Sequence, residues 1–127
     1  MTALKLLYVD DEPDLREIAG FAFDLDPEIE LRTYPSGAAA LAAMRAETWR
    51  PDGILLDVMM PDMDGPTTLQ RLRQIGGLEV TPAIFITARA QPGERQSYLE
   101  LGAIEVITKP FDPMTLAADI RSILSVS

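Results

Sequence analysis

The chain has 127 residues, of which 47% are hydrophobic, and it carries a net charge of −9 with a sequence pI of about 4.3. This length suits one domain with a buried core, and the acidic charge argues against direct binding to nucleic acid or to an anionic membrane. The sequence contains no Cys and no His, which excludes thiolate metal sites, thiol nucleophiles and imidazole bases. Any chemistry must therefore use carboxylates, hydroxyls, lysine or an oxygen-binding metal.

The first half of the chain alternates short apolar runs with helical patterns. An apolar strand is predicted at Leu4–Val9, and Pro13 is suited to open the helix that follows it. A weaker, alternating strand is predicted at Glu28–Tyr34, and Ser36 is suited to cap the next helix. A third strand, Gly53–Asp57, is apolar but ends on a carboxylate. No apolar run is long enough for a signal peptide or a membrane span, so we expect a cytoplasmic protein.

The second half of the chain continues the alternation. Asp64 is suited to cap a helix whose apolar face extends to Ile75. The remaining predicted elements are a strand at Ala83–Thr87, a helix from Pro92 to about Leu101, a strand at Ile104–Ile107 and a last helix opened by Asp112 and Pro113. The chain therefore reads as a strand and a helix repeated five times.

Strands separated by helix-length segments favour parallel pairing through right-handed crossovers. Most of the predicted strands are apolar throughout, which is typical of a sheet covered by helices on both faces, whereas the more polar second strand suits an edge. We therefore predict an α/β fold: a (βα)5 doubly wound, five-stranded parallel sheet of order 2-1-3-4-5, flavodoxin-like. It is expected to form a single domain over residues 1–127.

Polar side chains follow four of the predicted strands at their carboxyl ends, where sheets of this kind place their sites. These side chains are Asp10, Asp11, Glu12, Asp57, Thr87 and Lys109. Crowded carboxylates repel one another unless a cation intervenes, and oxygen ligands with room for water suit Mg²⁺. The sequence thus predicts a Mg²⁺ site formed by Asp10, Asp11 and Asp57, completed by the backbone carbonyl of Met59.

The same set of residues suits phosphoryl transfer. A carboxylate can act as a nucleophile and give an aspartyl phosphate. A hydroxyl such as that of Thr87 can donate to the phosphoryl oxygens, while the metal ion and Lys109 neutralise their charge. No histidine is needed within the chain, because the phosphoryl donor can supply it.

Four motifs of the chain resemble those of the receiver domain of two-component response regulators. They read LYVDDEPD, ILLDVMMPDMDG, IFITA and GAIEVITKPF, and they occur in the family's order over essentially the whole chain. The resemblance implies that Asp57 is the phosphoacceptor. It implies that Asp11 and Asp57 bind Mg²⁺ directly, and Asp10 through water. It also implies that Thr87 contacts the phosphoryl group and that Lys109 pairs with it.

The function implied by the resemblance is Mg²⁺-dependent phosphoryl transfer from a sensor histidine kinase or a His-phosphotransfer protein to Asp57. Phosphorylation would then shift a binding surface for a downstream protein partner or output domain. The chain would be a signalling domain that catalyses only its own phosphorylation and dephosphorylation. One helix's worth of chain follows Pro110, so we expect either a single-domain regulator that acts by binding or part of a longer protein.

Two details near the C-terminus follow from the same resemblance. Many receivers carry Tyr or Phe three residues before the Lys, where this chain has Val106. A Val side chain is short and stiff, so we expect activation to act through the loop at 88–91 rather than through a moving ring. The resemblance also implies a cis peptide bond between Lys109 and Pro110.

Other classes of protein match parts of this pattern less well. Three acids follow the first strand and would repel the phosphate of an FMN ligand, and no P-loop motif is present. A haloacid-dehalogenase-type phosphatase requires Asp at the position of Met59. The alternative that stays open is a receiver-like interaction module that is not phosphorylated.

Overall fold

The computed structural model describes residues 3–125, which form five strands and five helices. The strands are β1 (Leu4–Val9), β2 (Ile29–Tyr34), β3 (Gly53–Asp57), β4 (Ala83–Thr87) and β5 (Glu105–Thr108). The helices are α1 (Pro13–Asp24), α2 (Gly37–Ala46), α3 (Gly65–Leu72), α4 (Pro92–Glu100) and α5 (Leu116–Leu124). Among the helices of the described residues, none combines the length and the apolar character needed to cross a membrane.

The strands form one parallel sheet of order β2-β1-β3-β4-β5, which confirms the predicted topology. β3 and β4 are buried along their whole length, whereas the edge strand β2 is only partly buried. In the register of the central strands, Asp57 lies opposite Ile86, and Thr87 lies opposite Thr108. Because the strands are parallel, their carboxyl ends all meet at one edge of the sheet.

Helices cover both faces of the sheet. α1 and α5 pack over one apolar cluster, to which they contribute Ala19, Ala22, Phe23, Leu116 and Ile120. α2 and α3 pack over the other cluster, to which they contribute Ala40, Leu41, Met44, Leu69 and Leu72. α4 has no buried residue and reaches this second cluster through the partly buried ring of Tyr98.

The helix ends agree with the sequence at two places and differ at two others. Ser36 and Asp64 cap α2 and α3 as predicted, each by accepting a main-chain N–H from three residues ahead. α3 ends at Leu72, so Ile75 lies in the turn that follows. The last helix was expected from Asp112, but it begins at Leu116. The Asp112 carboxylate instead accepts the N–H of Met114, which closes a local turn before the helix.

Candidate phosphoacceptor and metal site

The carboxyl ends of four strands bring the predicted polar residues together. Asp10 follows β1, Asp57 ends β3, Thr87 ends β4 and Lys109 follows β5. Asp10, Asp57 and Thr87 are nearly inaccessible to solvent, with exposed fractions of 0%, 3% and 2%. Buried polar groups of this kind need partners, and each of the three has at least one.

Three carboxylates are close enough to share one cation. Asp10, Asp11 and Asp57 each offer an oxygen, and these oxygens lie within 4.8 Å of one another. An all-oxygen donor set with Asp11 nearer to the solvent matches what Mg²⁺ prefers, because that ion keeps several water ligands. The residues therefore fit the predicted metal. The side chain of Met59 is exposed, and the role of its carbonyl stays a prediction.

Lys109 is the cation that the structure itself places among these acids. Its Nζ lies 3.2 Å from Asp57 Oδ1, 3.2 Å from Asp10 Oδ2 and 3.6 Å from Glu12 Oε1. Burial disfavours the charge on the ammonium, but the carboxylates of Asp10 and Asp57 outweigh it and raise the pKa of Lys109. The peptide bond between Lys109 and Pro110 is cis, which confirms the expectation drawn from the resemblance.

The charge of Asp57 is set by opposing effects. Burial, reinforced by the negative charge of Asp10, raises the pKa of Asp57 to about 7, against the opposing effect of Lys109. The positive charge of Lys109 lowers the pKa of Asp57 by less than burial and Asp10 raise it. A further cation at this edge of the sheet would favour the ionised carboxylate, which is the form able to act as a nucleophile.

Two residues that the sequence analysis did not single out hold Asp10 in place. The hydroxyl of Tyr8 donates to Asp10 Oδ2 at 2.6 Å, and the guanidinium of Arg16 donates to the carbonyl of Asp10 at 2.6 Å. Burial, together with the hydrogen bond to Asp10, raises the pKa of Tyr8, so the phenol stays a donor. The sequence carries one indication of the bond between Tyr8 and Asp10. The two residues are two positions apart, so their side chains extend to the same face of the sheet.

Thr87 lies beside a small open cavity at the same edge of the sheet. The Oγ1 atom of Thr87 accepts the main-chain N–H of Arg89 at 3.1 Å, and the side chain of Arg89 pairs with Glu94 of α4 at 3.2 Å. The cavity holds about 160 Å³ and is lined by Glu12, Asp57, Met59, Thr87, Ala88, Arg89 and Lys109. It gives a small anionic group a way to reach the Asp57 carboxylate.

The start of α3 packs directly against the end of β3. Gly65 donates its N–H to the carbonyl of Val58, and a Cβ at Gly65 would lie 2.5 Å from the carbonyl oxygen of Asp57. Only glycine allows the two backbones to approach so closely. This contact closes the loop after Asp57.

The sequence and the fold place this site in a known family. The model of the response regulator receiver domain family matches residues 6–121. The chain therefore belongs to the response regulator receiver domain family. Among solved structures, the chemotaxis protein CheY4 of Vibrio cholerae is 30% identical and superposes with a TM-score of 0.84, covering 97% of this chain and 99% of that protein.

Other relatives extend the comparison. The transcriptional activator protein IrlR of Burkholderia pseudomallei is 41% identical over 95% of this chain, and the transcriptional regulatory protein CseB of Streptomyces coelicolor is 37% identical over 94% of it. The chain spans about half the length of these two regulators, 50% and 48%. A receiver domain of the sensor histidine kinase PA1611 from Pseudomonas aeruginosa shares the fold at 23% identity and a TM-score of 0.80, covering 97% of this chain and 98% of that one. That structure has a magnesium ion coordinated in its active-site cleft.

Proposed function

We propose that this receiver domain accepts a phosphoryl group on Asp57 from a phosphohistidine of a histidine kinase or a phosphotransfer protein. The observation that carries the proposal is the buried Asp57 carboxylate with the Lys109 ammonium 3.2 Å away. A carboxylate buried beside a lysine and two further acids at the mouth of a cavity is poised for charge-compensated group transfer.

The proposed reaction transfers the phosphoryl group from the imidazole of the donor to Asp57. A carboxylate oxygen of Asp57 attacks the phosphorus, the new P–O bond forms, and the P–N bond of the donor breaks to release its imidazole. Lys109 pairs with the phosphoryl oxygens, and the hydroxyl of Thr87 turns from its bond with Arg89 to donate to one of them. The rigid end of β3 holds the nucleophile in line for attack.

We propose Mg²⁺ as the cofactor of this step. Asp10, Asp11 and Asp57 would hold it, together with the carbonyl of Met59, and the ion would supply positive charge against the phosphoryl oxygens. Without such a cation, the three acids leave a net negative edge that repels an anionic donor.

Phosphorylation of Asp57 is proposed to change a surface that a downstream partner reads. Asp57 and Thr87 line the same cavity, and the contacts of Arg89 with Thr87 and Glu94 link the end of β4 to the first turn of α4. The two transcriptional regulators among the relatives suggest an output domain or a separate protein target as the reader. Such a reader would sense the position of α4.

The acceptor is tested by phosphorylation in vitro. Incubation with a small acyl phosphate and Mg²⁺ should give one labile phosphoryl adduct by intact-mass spectrometry, and Asp57→Asn should give none. An equal adduct in the variant would show that another residue is the acceptor. A wild-type chain that gains no adduct, either from acyl phosphates or from phosphohistidine donors, would favour the interaction module that is not phosphorylated.

The metal site is tested separately with Asp11→Asn. Calorimetric titration should show Mg²⁺ affinity reduced by at least about tenfold, because a carboxylate ligand is replaced by a neutral amide. Asp14→Asn, which removes an exposed acid of α1 outside the cluster, is the matched control and should keep the wild-type affinity. Equal Mg²⁺ affinity in the wild type and Asp11→Asn would exclude this cluster as the metal site.

A further inference from the structure

Tyr8 lies beneath the acid cluster, in the layer that α1 and α5 cover. Its side chain is 1% exposed and belongs to the apolar cluster that includes Phe23 and Leu55. Tyr8 and Asp10 extend to the same face of the sheet because side chains alternate along a strand. The phenol thereby reaches the site from below and donates a 2.6 Å hydrogen bond to Asp10 Oδ2.

Asp10 is a fully buried carboxylate with three donors around its two oxygens. Oδ1 accepts the main-chain N–H of Glu12 at 3.0 Å, and Oδ2 is shared by the Tyr8 hydroxyl and the Lys109 ammonium, the latter at 3.2 Å. Lys109 is also 3.2 Å from Asp57. Oδ2 of Asp10 therefore has one donor fixed in the core and one donor that it shares with the acceptor.

We propose that Tyr8 is a positioning residue for phosphoryl transfer. Its hydroxyl keeps a hydrogen bond to Oδ2 of Asp10 while Lys109 turns towards the phosphoryl group on Asp57. This inference rests on the proposed function. A phosphoryl group adds negative charge next to Lys109 and draws the ammonium away from Asp10. With Tyr8 in place, Asp10 then keeps two protein donors beside the contact with Mg²⁺ that we propose for it. With Phe at position 8, only the N–H of Glu12 remains as a protein donor, and a buried carboxylate short of donors is costly.

A purely structural role for Tyr8 makes a different prediction. A buried tyrosine needs a partner for its hydroxyl whatever the function of the site, and Asp10 would serve as that partner. In that case the hydroxyl stabilises the resting and the phosphorylated states equally. In the proposed role it stabilises chiefly the state in which Lys109 has left Asp10, so the two roles separate in the binding of a phosphoryl analogue.

The experiment compares Tyr8→Phe with the wild type in two titrations. The first measures Mg²⁺ alone, and the second measures beryllofluoride, a phosphoryl analogue, at saturating Mg²⁺. We expect analogue affinity to fall about tenfold, the size of one lost hydrogen bond to a charged group, while Mg²⁺ affinity changes less than about twofold. Tyr34→Phe removes the same atom from a ring on the opposite face of the sheet and should match the wild type in both titrations.

Three outcomes would overturn the proposal: no change in analogue affinity, an equal fall in both titrations, or a fall in Mg²⁺ affinity alone. A wild-type chain that binds no analogue would overturn the proposed function, and the inference with it. Analogue binding by the wild type together with equal binding by Tyr8→Phe would reject the role of Tyr8 alone.

A second measurement does not require Tyr8→Phe to fold. Incorporation of 3-fluorotyrosine at position 8 keeps the ring and its hydroxyl and adds a ¹⁹F signal. The signal should shift on addition of beryllofluoride by clearly more than on addition of Mg²⁺ alone, because the phenol becomes the main donor to Oδ2. Identical shifts in the two additions would contradict the departure of Lys109 from Asp10.

Discussion

Burial at Asp57 makes the proposed phosphoacceptor costly to ionise. The carboxyl is 3% exposed, and its pKa of about 7 stands against an ordinary value of 3.8. Between these two values the native chain binds a proton that the unfolded chain does not, so native stability decreases as the pH rises through this window. Without a bound cation, the carboxyl of Asp57 is therefore charged only at about neutral pH and above, at a cost to native stability.

The cost can be measured with the metal removed by a chelator. Wild-type stability against urea should decline as the pH rises from about 4 to about 7, and the decline should be absent in Asp57→Asn, which carries no charge at this position. At about pH 8 the variant should be the more stable protein by roughly 1–3 kcal/mol. Parallel stability profiles in the two proteins across this window would show that Asp57 is not costly to ionise.

The position of Asp57 depends on the junction between β3 and α3. The N–H of Gly65 reaches back to Val58, and the missing Cβ leaves room for the carbonyl of Asp57. The first turn of α3 thus fixes the end of β3 in position. A shift of this turn would carry the Asp57 main chain with it.

A matched pair of glycine substitutions tests the junction. Gly65→Ala should destabilise the protein by about 2–3 kcal/mol in urea unfolding, because its Cβ meets backbone that cannot turn aside. Gly20→Ala, in the middle of α1 with no atom within 4 Å of the new Cβ, should instead stabilise it by up to about 1 kcal/mol. Equal effects of the two substitutions would contradict the close contact at Gly65.

The sequence predicted most of the sheet because its strands are set by apolar runs with clear ends. β1, β3 and β4 begin and end where the pattern placed them, and the site residues follow because the carboxyl ends of parallel strands meet. The start of α5 was predicted too early, because Asp112 and Pro113 suit a turn as well as a helix start. The bond between Tyr8 and Asp10 was missed, because their spacing of two residues places both side chains on one face but does not show that the hydroxyl reaches the carboxylate.

At the scale of the whole molecule, the helices are held unequally. α1, α2, α3 and α5 each bury side chains in a core cluster, whereas α4 buries none and contacts the core through the edge-on ring of Tyr98 against Phe85, 5.9 Å between centroids. The loop that leads into α4 is the one tied to Thr87 through Arg89. The helix with no buried residue is therefore the one that adjoins the hydroxyl of Thr87.

This arrangement predicts where activation will be visible. On addition of beryllofluoride and Mg²⁺, amide chemical shifts should change most at residues 57–60 and 87–92, and less around Val106. The reason is that Val106 has no ring with which to fill space vacated by Thr87. Changes at Val106 as large as those at Thr87 would falsify this expectation and show that β5 switches without an aromatic side chain.

The fluorescence of Trp49 should report the unfolding of the protein but not the binding of Mg²⁺. It is the single tryptophan, and it precedes β3, whose five residues place Asp57 roughly 13 Å farther along the strand. Its indole N–H donates to Glu30 at 2.9 Å, and the guanidinium of Arg32 lies 4.4 Å from the ring centroid. Its emission should therefore follow the loss of this packing on denaturation and stay constant during a Mg²⁺ titration. Unfolding can then be followed by fluorescence in the presence of Mg²⁺ without interference from ion binding. A Mg²⁺-dependent change in emission would instead show that the metal site and Trp49 communicate along the full length of β3.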